Sequence, residues 1–342
     1  MSEIRVAFRV DGSRDLGLGH IMRCLNVARA LADIPLGFAV RDDTNVRDVL
    51  EKTEFRSRVT WIDPNADDIP VFGTYLDEAE PQVVVTDIDL RGRVDEYLSV
   101  IYPHSAHVSL HEHNYPLLAG DKVIAPTIRP LEPAPGATPG LTHYIGPDYI
   151  LLPPDIIEIR ELASAPAFPI KTVVVSLGGG DPFRLTPKVA SAIRACNMPL
   201  ISWKVILGSA SGYDRNEIAT EFPGIIDFIQ GEKLSRDGFL NLLASADLAI
   251  VNGGTTLYET LTLGRPSLAI PQNEFEQAVI EILSESGAVT GVPVTDHVTI
   301  LDKLSTLIED RSRLENLAVT GMALIDGRGS IRVADLIRSH LV

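Results

Sequence analysis

Val251-Asn252-Gly253-Gly254-Thr255-Thr256-Leu257-Tyr258-Glu259 joins an apolar strand-like run, residues 248–251, to a helix-like run, residues 255–263. A strand that ends in paired glycines and runs straight into a helix is a joint of a parallel α/β sheet. Gly253 and Gly254 let backbone amides come close to a bound group. Asn252 adds an amide, and Thr255 and Thr256 add hydroxyls at a helix start, where the dipole favours negative charge. Glu259 lies one turn further in, where a carboxylate could accept bonds from ribose hydroxyls. This is equipment for a nucleoside diphosphate. A tight turn with a cap and a solvated glutamate would use the same residues. Two further elements at strand ends favour the binding reading.

One is Ser176-Leu177-Gly178-Gly179-Gly180-Asp181-Pro182, after a valine-rich strand, residues 172–177. Gly178, Gly179 and Gly180 offer amides to a phosphate in a nest-like turn beside Ser176. Asp181 is placed to cap the following helix. No Lys follows the glycines, so this is not a P-loop. The two glycine elements fall in the same half and could grip one diphosphate from two sides.

The other runs from Arg9 to Arg23, R-V-D-G-S-R-D-L-G-L-G-H-I-M-R. Gly17 and Gly19 shape a strand-to-helix loop, and His20 stands at the helix N-terminus. There the dipole disfavours the imidazolium, leaving a ring able to accept a proton, as a general base requires. Asp11 is placed to orient the ring or a sugar hydroxyl, and Arg9 and Arg23 flank the constellation as substrate-binding candidates. No third glycine follows Gly17 and Gly19 three residues on, so Asp42 and Asp43 do not complete a dinucleotide fingerprint.

Strand-like runs at residues 4–10, 36–40, 59–62, 82–86 and 106–110 alternate with helical ones, beginning with residues 20–31. The pattern restarts at residues 172–177, with strands at 203–207, 225–229, 248–251 and 267–270. Helices at 184–195, 239–246, 255–263 and 276–285 lie between them. Such alternation predicts parallel sheets wrapped by helices. Residues 126–140 hold five prolines and two glycines and read as a surface connection. The 342 residues predict two domains of about 150 residues each. We place them at residues 1–145 and 146–330, with a terminal helix over 331–342 returning to the first.

The net charge of −16 excludes general nucleic-acid binding and docking on anionic lipid. No apolar run is long enough to insert in a membrane, and the first residues carry no signal-peptide pattern. Cys24 and Cys196, the two cysteines, read as buried thiols in a reducing compartment. The expectation is a cytoplasmic enzyme, monomeric or weakly homo-oligomeric.

Gly17-Leu18-Gly19-His20-Ile21-Met22-Arg23-Cys24, Val175 to Pro182, and Gly253 to Glu259 together resemble the UDP-sugar hydrolases of the pseudaminic acid pathway and the related spore-coat polysaccharide biosynthesis proteins. The similarity spans most of the chain in order, including Gly146-Pro147-Asp148-Tyr149-Ile150-Leu151-Leu152. The C-terminal half is more distantly similar to MurG-type glycosyltransferases. The resemblance implies a GT-B fold, two Rossmann-like domains facing across a cleft. UDP would lie on the C-terminal domain and the sugar on the N-terminal one. His20 would match the base that activates water against the anomeric carbon, with no metal or cofactor. A glycosyltransferase using an acceptor hydroxyl, and a non-catalytic nucleotide-sugar binding protein, are the alternatives.

The chain departs from that family where the sugar would lie. Asp87-Ile88-Asp89 replaces an Asp followed two residues later by Tyr, Leu110-His111-Glu112-His113 stands where an acidic pair is usual, and Glu276-Gln277 replaces Asn-Gln. Asp87, Asp89 and Gln277 remain sugar-site candidates. Asp87, Asp89, His111 and His113 also admit a metal reading, since carboxylates and imidazoles at strand ends can share a cation; polar loop residues are the simpler account. His104 and His107 read as exposed residues between a helix and a strand.

Overall fold

The structure, a computed structural model, describes residues 4–13, 17–88, 92–110, 121–129, 142–293 and 295–341. The first elements are β1 (Val6–Val10), α1 (Gly19–Ala30), β2 (Leu36–Arg41), α2 (Thr44–Leu50), β3 (Val59–Ile62), α3 (Asp68–Ala79), β4 (Val83–Asp87) and α4 (Val94–Ile101). β5 (Ala106–Leu110), β6 (Lys122–Ala125) and β7 (Thr142–Ile145) follow. Next come α5 (Ile156–Leu162), β8 (Thr172–Ser176), α6 (Leu185–Cys196), β9 (Ser202–Leu207), α7 (Arg215–Glu221), β10 (Ile226–Gln230), α8 (Arg236–Ala244), β11 (Leu248–Val251) and α9 (Thr255–Thr262). The chain closes with β12 (Ser267–Ala269), α10 (Glu274–Glu285), β13 (Thr290–Gly291), α11 (His297–Glu309), α12 (Arg311–Leu324) and α13 (Gly329–Arg338).

The chain divides into two compact units, residues 1–154 with 328–342, and residues 155–327. In the first unit the strand order is β3-β2-β1-β4-β5-β6-β7; in the second it is β10-β9-β8-β11-β12-β13. All the strand pairs are parallel.

Parallel strands covered on both faces read as unbroken apolar runs. β1 (V-A-F-R-V) and β4 (V-V-V-T-D) are buried at every position, and β8 (T-V-V-V-S) at all but its first. On one face of the first sheet Phe8 stacks on Phe38 at 5.0 Å and packs with Cys24, Leu25 and Ala28 of α1. Val333, Ala334 and Ile337 of α13 join the same cluster. On the other face Ala7, Ala39 and Val84 pack under Phe72 and Leu76 of α3 and Tyr97 and Ile101 of α4. The second unit fills its core with Val173, Val175, Trp203, Phe228, Ile250 and Leu268.

Sequence reading misses β6, β7 and β13; β7 (T-H-Y-I) and β13 (T-G) are edge strands without an unbroken apolar run. It also starts two helices late. α8 begins at Arg236, where Ser235 accepts from the Gly238 amide, and α10 at Glu274, where Asn273 accepts from the Glu276 amide. His107 is not an exposed connector: it is fully buried in β5, its Nε2 2.8 Å from Thr86 Oγ1. Its place between two parallel neighbours, β4 and β6, leaves it no route to water.

Candidate functional site

Each sheet has one point where successive strands stop adding on one side and start adding on the other. In an open parallel sheet the loops diverge there and leave a crevice beyond the strand ends. In the first unit this point lies between β1 and β4, in the second between β8 and β11.

At the first switch point, His20 opens α1 after β1, and Asp87 ends β4. His20 Nδ1 lies 2.7 Å from Asp87 Oδ1, and the ring is 18% exposed. Asp87 is buried, and Arg23 grips it through Nε to Oδ2 and through a guanidinium NH2 group to Oδ1 at 2.5 Å. Burial opposes ionisation of Asp87, but the Arg23 guanidinium, with help from His20, outweighs it and holds the carboxyl at about 2. An ionised carboxylate only accepts hydrogen bonds. His20 Nδ1 therefore carries the hydrogen toward Asp87, and Nε2 is the nitrogen with a chemical role left to play. Arg23 also approaches Nδ1, at 2.8 Å; with Nδ1 a donor, the two N–H groups face each other and are held there by the Asp87 oxygen they share. Cys24 Sγ lies 3.7 Å from Asp87 Oδ2, and burial pushes its thiol well up, so it stays a neutral donor. Gly17, with a left-handed backbone, donates its amide to the Ser13 carbonyl at 2.9 Å and turns the chain into α1.

Asp11 does not orient His20. It is bound by Arg9 at 2.6 and 2.9 Å and by the Arg41 amide at 3.0 Å. Arg9 is wholly buried and also donates to Asp68 Oδ2 at 2.6 Å. Arg93 binds Asp68 Oδ1 at 2.9 Å, and the Tyr97 hydroxyl donates to Oδ2. These residues staple α3 and α4 to β1. The physical reason for the correction is direction: Arg9 points to the α3–α4 face with Ala7, whereas α1 covers the opposite face. Arg23, likewise, is engaged by Asp87.

At the second switch point, Gly178, Gly179 and Gly180 follow β8, and Asn252, Gly253 and Gly254 follow β11. The first loop is braced by Gly208 after β9, where an added Cβ would lie 2.2 Å from the Gly178 carbonyl oxygen. The Ala210 amide donates to the Gly179 carbonyl at 2.7 Å. Asp181, in the loop before α6, accepts from the Leu185 and Thr186 amides at 2.7 and 2.8 Å, so a carboxylate already occupies the start of α6. α9 is different: Gly254 is its cap residue and supplies no side-chain bond, and Thr255 is exposed. The first amides of α9 are the donors this crevice offers an anion.

Glu276, which sequence reading marks only as a departure, proves central. Its carboxylate accepts from Asn252 Nδ2 at 2.7 Å, the Gly253 amide at 3.2 Å and the Gln272 amide at 2.8 Å. Gly253 is thus already engaged. Glu259 is 1% exposed and accepts from Arg236 of α8. Gln277 turns to Glu281, 2.7 Å away, outside this network. Asp89, His111 and His113 lie outside the described residues. Among the described residues no group of three or more His, Cys, Asp or Glu side chains is placed to hold a metal ion. Nor is any helix long and apolar enough to cross a membrane.

No family model matches the chain. It is 29% identical over 201 residues, 57% of its length, to the spore coat polysaccharide biosynthesis protein SpsG of Bacillus subtilis, and spans 58% of that relative's own length. Among solved structures it resembles MnaA of S. aureus in complex with UDP. That match has a TM-score of 0.64 and 12% identity, and covers 99% of this chain and 97% of the other. It also resembles the spinosyn rhamnosyltransferase SpnG complexed with thymidine diphosphate. There the TM-score is 0.64 with 14% identity, over 98% and 99% of the two chains. The architecture is that of the GT-B class, two Rossmann-like parallel-sheet domains in one chain.

Proposed function

We propose that the protein hydrolyses a UDP-activated amino sugar at the anomeric carbon, releasing UDP and the free sugar, in the synthesis of a surface polysaccharide. The observation that carries this reading is the His20–Asp87 pair at the first switch point. Asp87 fixes the tautomer, and Nε2 takes a proton from water as the water oxygen bonds to the anomeric carbon. The bond from that carbon to the diphosphate oxygen breaks, and its electron pair leaves with UDP. Attack opposite the leaving group inverts the anomeric centre. UDP is a good leaving group, and the amides of Gly179, Gly180, Gly254, Thr255 and Thr256 would stabilise the charge growing on it. The likeness to a UDP-bound structure and to a polysaccharide biosynthesis protein supports the nucleotide and the setting.

The likeness to a rhamnosyltransferase favours a second reading, in which the same base deprotonates an acceptor hydroxyl. The nearest basic group, Arg56-Ser57-Arg58, is too small a platform for a lipid-linked acceptor. A panel of UDP-sugars incubated with the protein alone separates the two. Free sugar plus UDP is expected from hydrolysis; turnover that appears only with an added acceptor would establish transfer instead. His20→Ala should lower turnover about 10²–10⁴-fold. If the parent bound a UDP-sugar, turned none over, and His20→Ala bound it equally well, the chain would be a binding protein.

A further inference from the structure

A single buried carboxylate ties the two glycine loops of the second unit together. Glu276, on the first turn of α10, is 8% exposed. Its Oε1 accepts from Asn252 Nδ2, and its Oε2 accepts from both the Gly253 and the Gln272 amides. Gln272 reaches on through Nε2 to the Leu177 carbonyl at 2.6 Å. Asn252 lies between the loops: a Cβ on Gly178 or on Gly254 would stand 3.3 Å from its Nδ2.

Every donor to this carboxylate is uncharged. The β11 loop contributes Asn252 and Gly253, and the β12 loop contributes Gln272, with Asn273 holding the Glu276 amide. The carboxylate of the β8 loop, Asp181, is engaged by α6 and by the Tyr213 hydroxyl at 3.0 Å. On α10 itself, Glu274 is exposed and Glu281 pairs with Gln277. Among the described residues no cation pairs with this carboxylate, and burial raises the pKa of Glu276 against the three hydrogen bonds that lower it.

We propose that Glu276 is the positioning residue of the diphosphate cradle and takes up a proton from solvent as the anion binds. The proposal rests on the reading that this cradle holds a diphosphate. The amides left open at the start of α9 adjoin Gly253, so an anion seated there stands beside a second buried negative charge. Like charges in a poorly solvated site disfavour joint ionisation. Protonation relieves this without moving the frame. Oε2 keeps both backbone amides, and the new proton on Oε1 is donated to Asn252 Oδ1 once that side-chain amide turns over. Glu276→Gln reproduces this bonded pattern without the charge.

The test is calorimetric titration with UDP-N-acetylglucosamine, whose diphosphate is a diester with no group titrating near neutrality. The parent's affinity should weaken from pH 5 to pH 8, by up to about tenfold per pH unit once Glu276 is ionised in the free protein. Buffers of different ionisation enthalpy should show up to one proton taken up per nucleotide bound. Glu276→Gln should bind with no comparable pH dependence and at pH 8 at least as tightly as the parent at pH 5. Glu276→Ala, which breaks the bridge, should bind more weakly at every pH. A pH slope in Glu276→Gln equal to the parent's, or no proton uptake by the parent, would overturn this proposal alone. No binding by the parent at any pH would overturn the functional reading and this proposal with it.

Discussion

Asp87 decides what His20 can do. Its two oxygens are shared between Arg23 and the imidazole, so the ring is oriented by a group that is itself buried and bonded by Arg23. Asp87→Asn should therefore lower turnover about 10²–10⁴-fold, because a side-chain amide no longer selects the Nδ1–H tautomer. It also strands a largely buried guanidinium, a loss of about 3–5 kcal/mol that chemical denaturation would read. A variant that lost stability but kept full turnover would show that Asp87 is a folding residue only. Asp87 is visible in the sequence as a sugar-site candidate, but its role as the partner of His20 is not. The two residues are 67 positions apart, and only the placement of β4 beside β1 brings them together. Asp11 is the more obvious partner by sequence distance and is the wrong one, because the side chain of Arg9 pulls it toward the other face of the sheet.

At the scale of elements, the glycine loops are legible and their bracing is not. Ser176-Leu177-Gly178-Gly179-Gly180 and Asn252-Gly253-Gly254 announce themselves by composition and by the strands before them. Gly208 carries no such mark, being one glycine after an ordinary strand. Its importance comes from backbone approaching backbone, which no local pattern encodes. Gly208→Ala should force the Gly178–Gly179 segment aside, since its Cβ would lie 2.2 and 2.4 Å from the two carbonyl oxygens. We expect a loss of about 1–3 kcal/mol in the second unit, read as a lower midpoint in denaturant, together with weaker UDP binding. Unchanged stability and affinity would mean that the loop is far softer than its contacts indicate. Glu276 illustrates the same limit of sequence reading from the other side: its type is unexpected at that position, yet only the three donors around it explain why.

For the whole molecule, the alternation of strands and helices foretells two parallel-sheet units, while the edge strands β7 and β13 escape notice because they carry no unbroken apolar run. The two units should differ in their response to acid. In the first, Asp87 and Asp68 are both held at about 2: burial opposes ionisation of each, but Arg23 outweighs it at Asp87, and Tyr97 and Arg9 outweigh it at Asp68. Their folded pKa values lie below the unfolded ones, so the stability they supply is present above about pH 4 and is lost as pH falls toward 2. Asp87 alone accounts for roughly 2 kcal/mol of this. In the second unit Glu276 has the opposite sign, since its raised pKa makes protonation favour the folded state. Each unit contains one of the two tryptophans, Trp61 and Trp203. Trp203→Phe should thus report unfolding of the first unit at a higher pH than Trp61→Phe reports for the second; the reverse order would contradict these assignments. Amide hydrogen exchange with and without UDP shows whether the nucleotide is held at the β8–β11 switch point. Exchange at Gly179, Gly180, Gly254, Thr255 and Thr256 should slow when UDP binds. UDP that binds and leaves these amides unchanged while protecting another segment would contradict that placement.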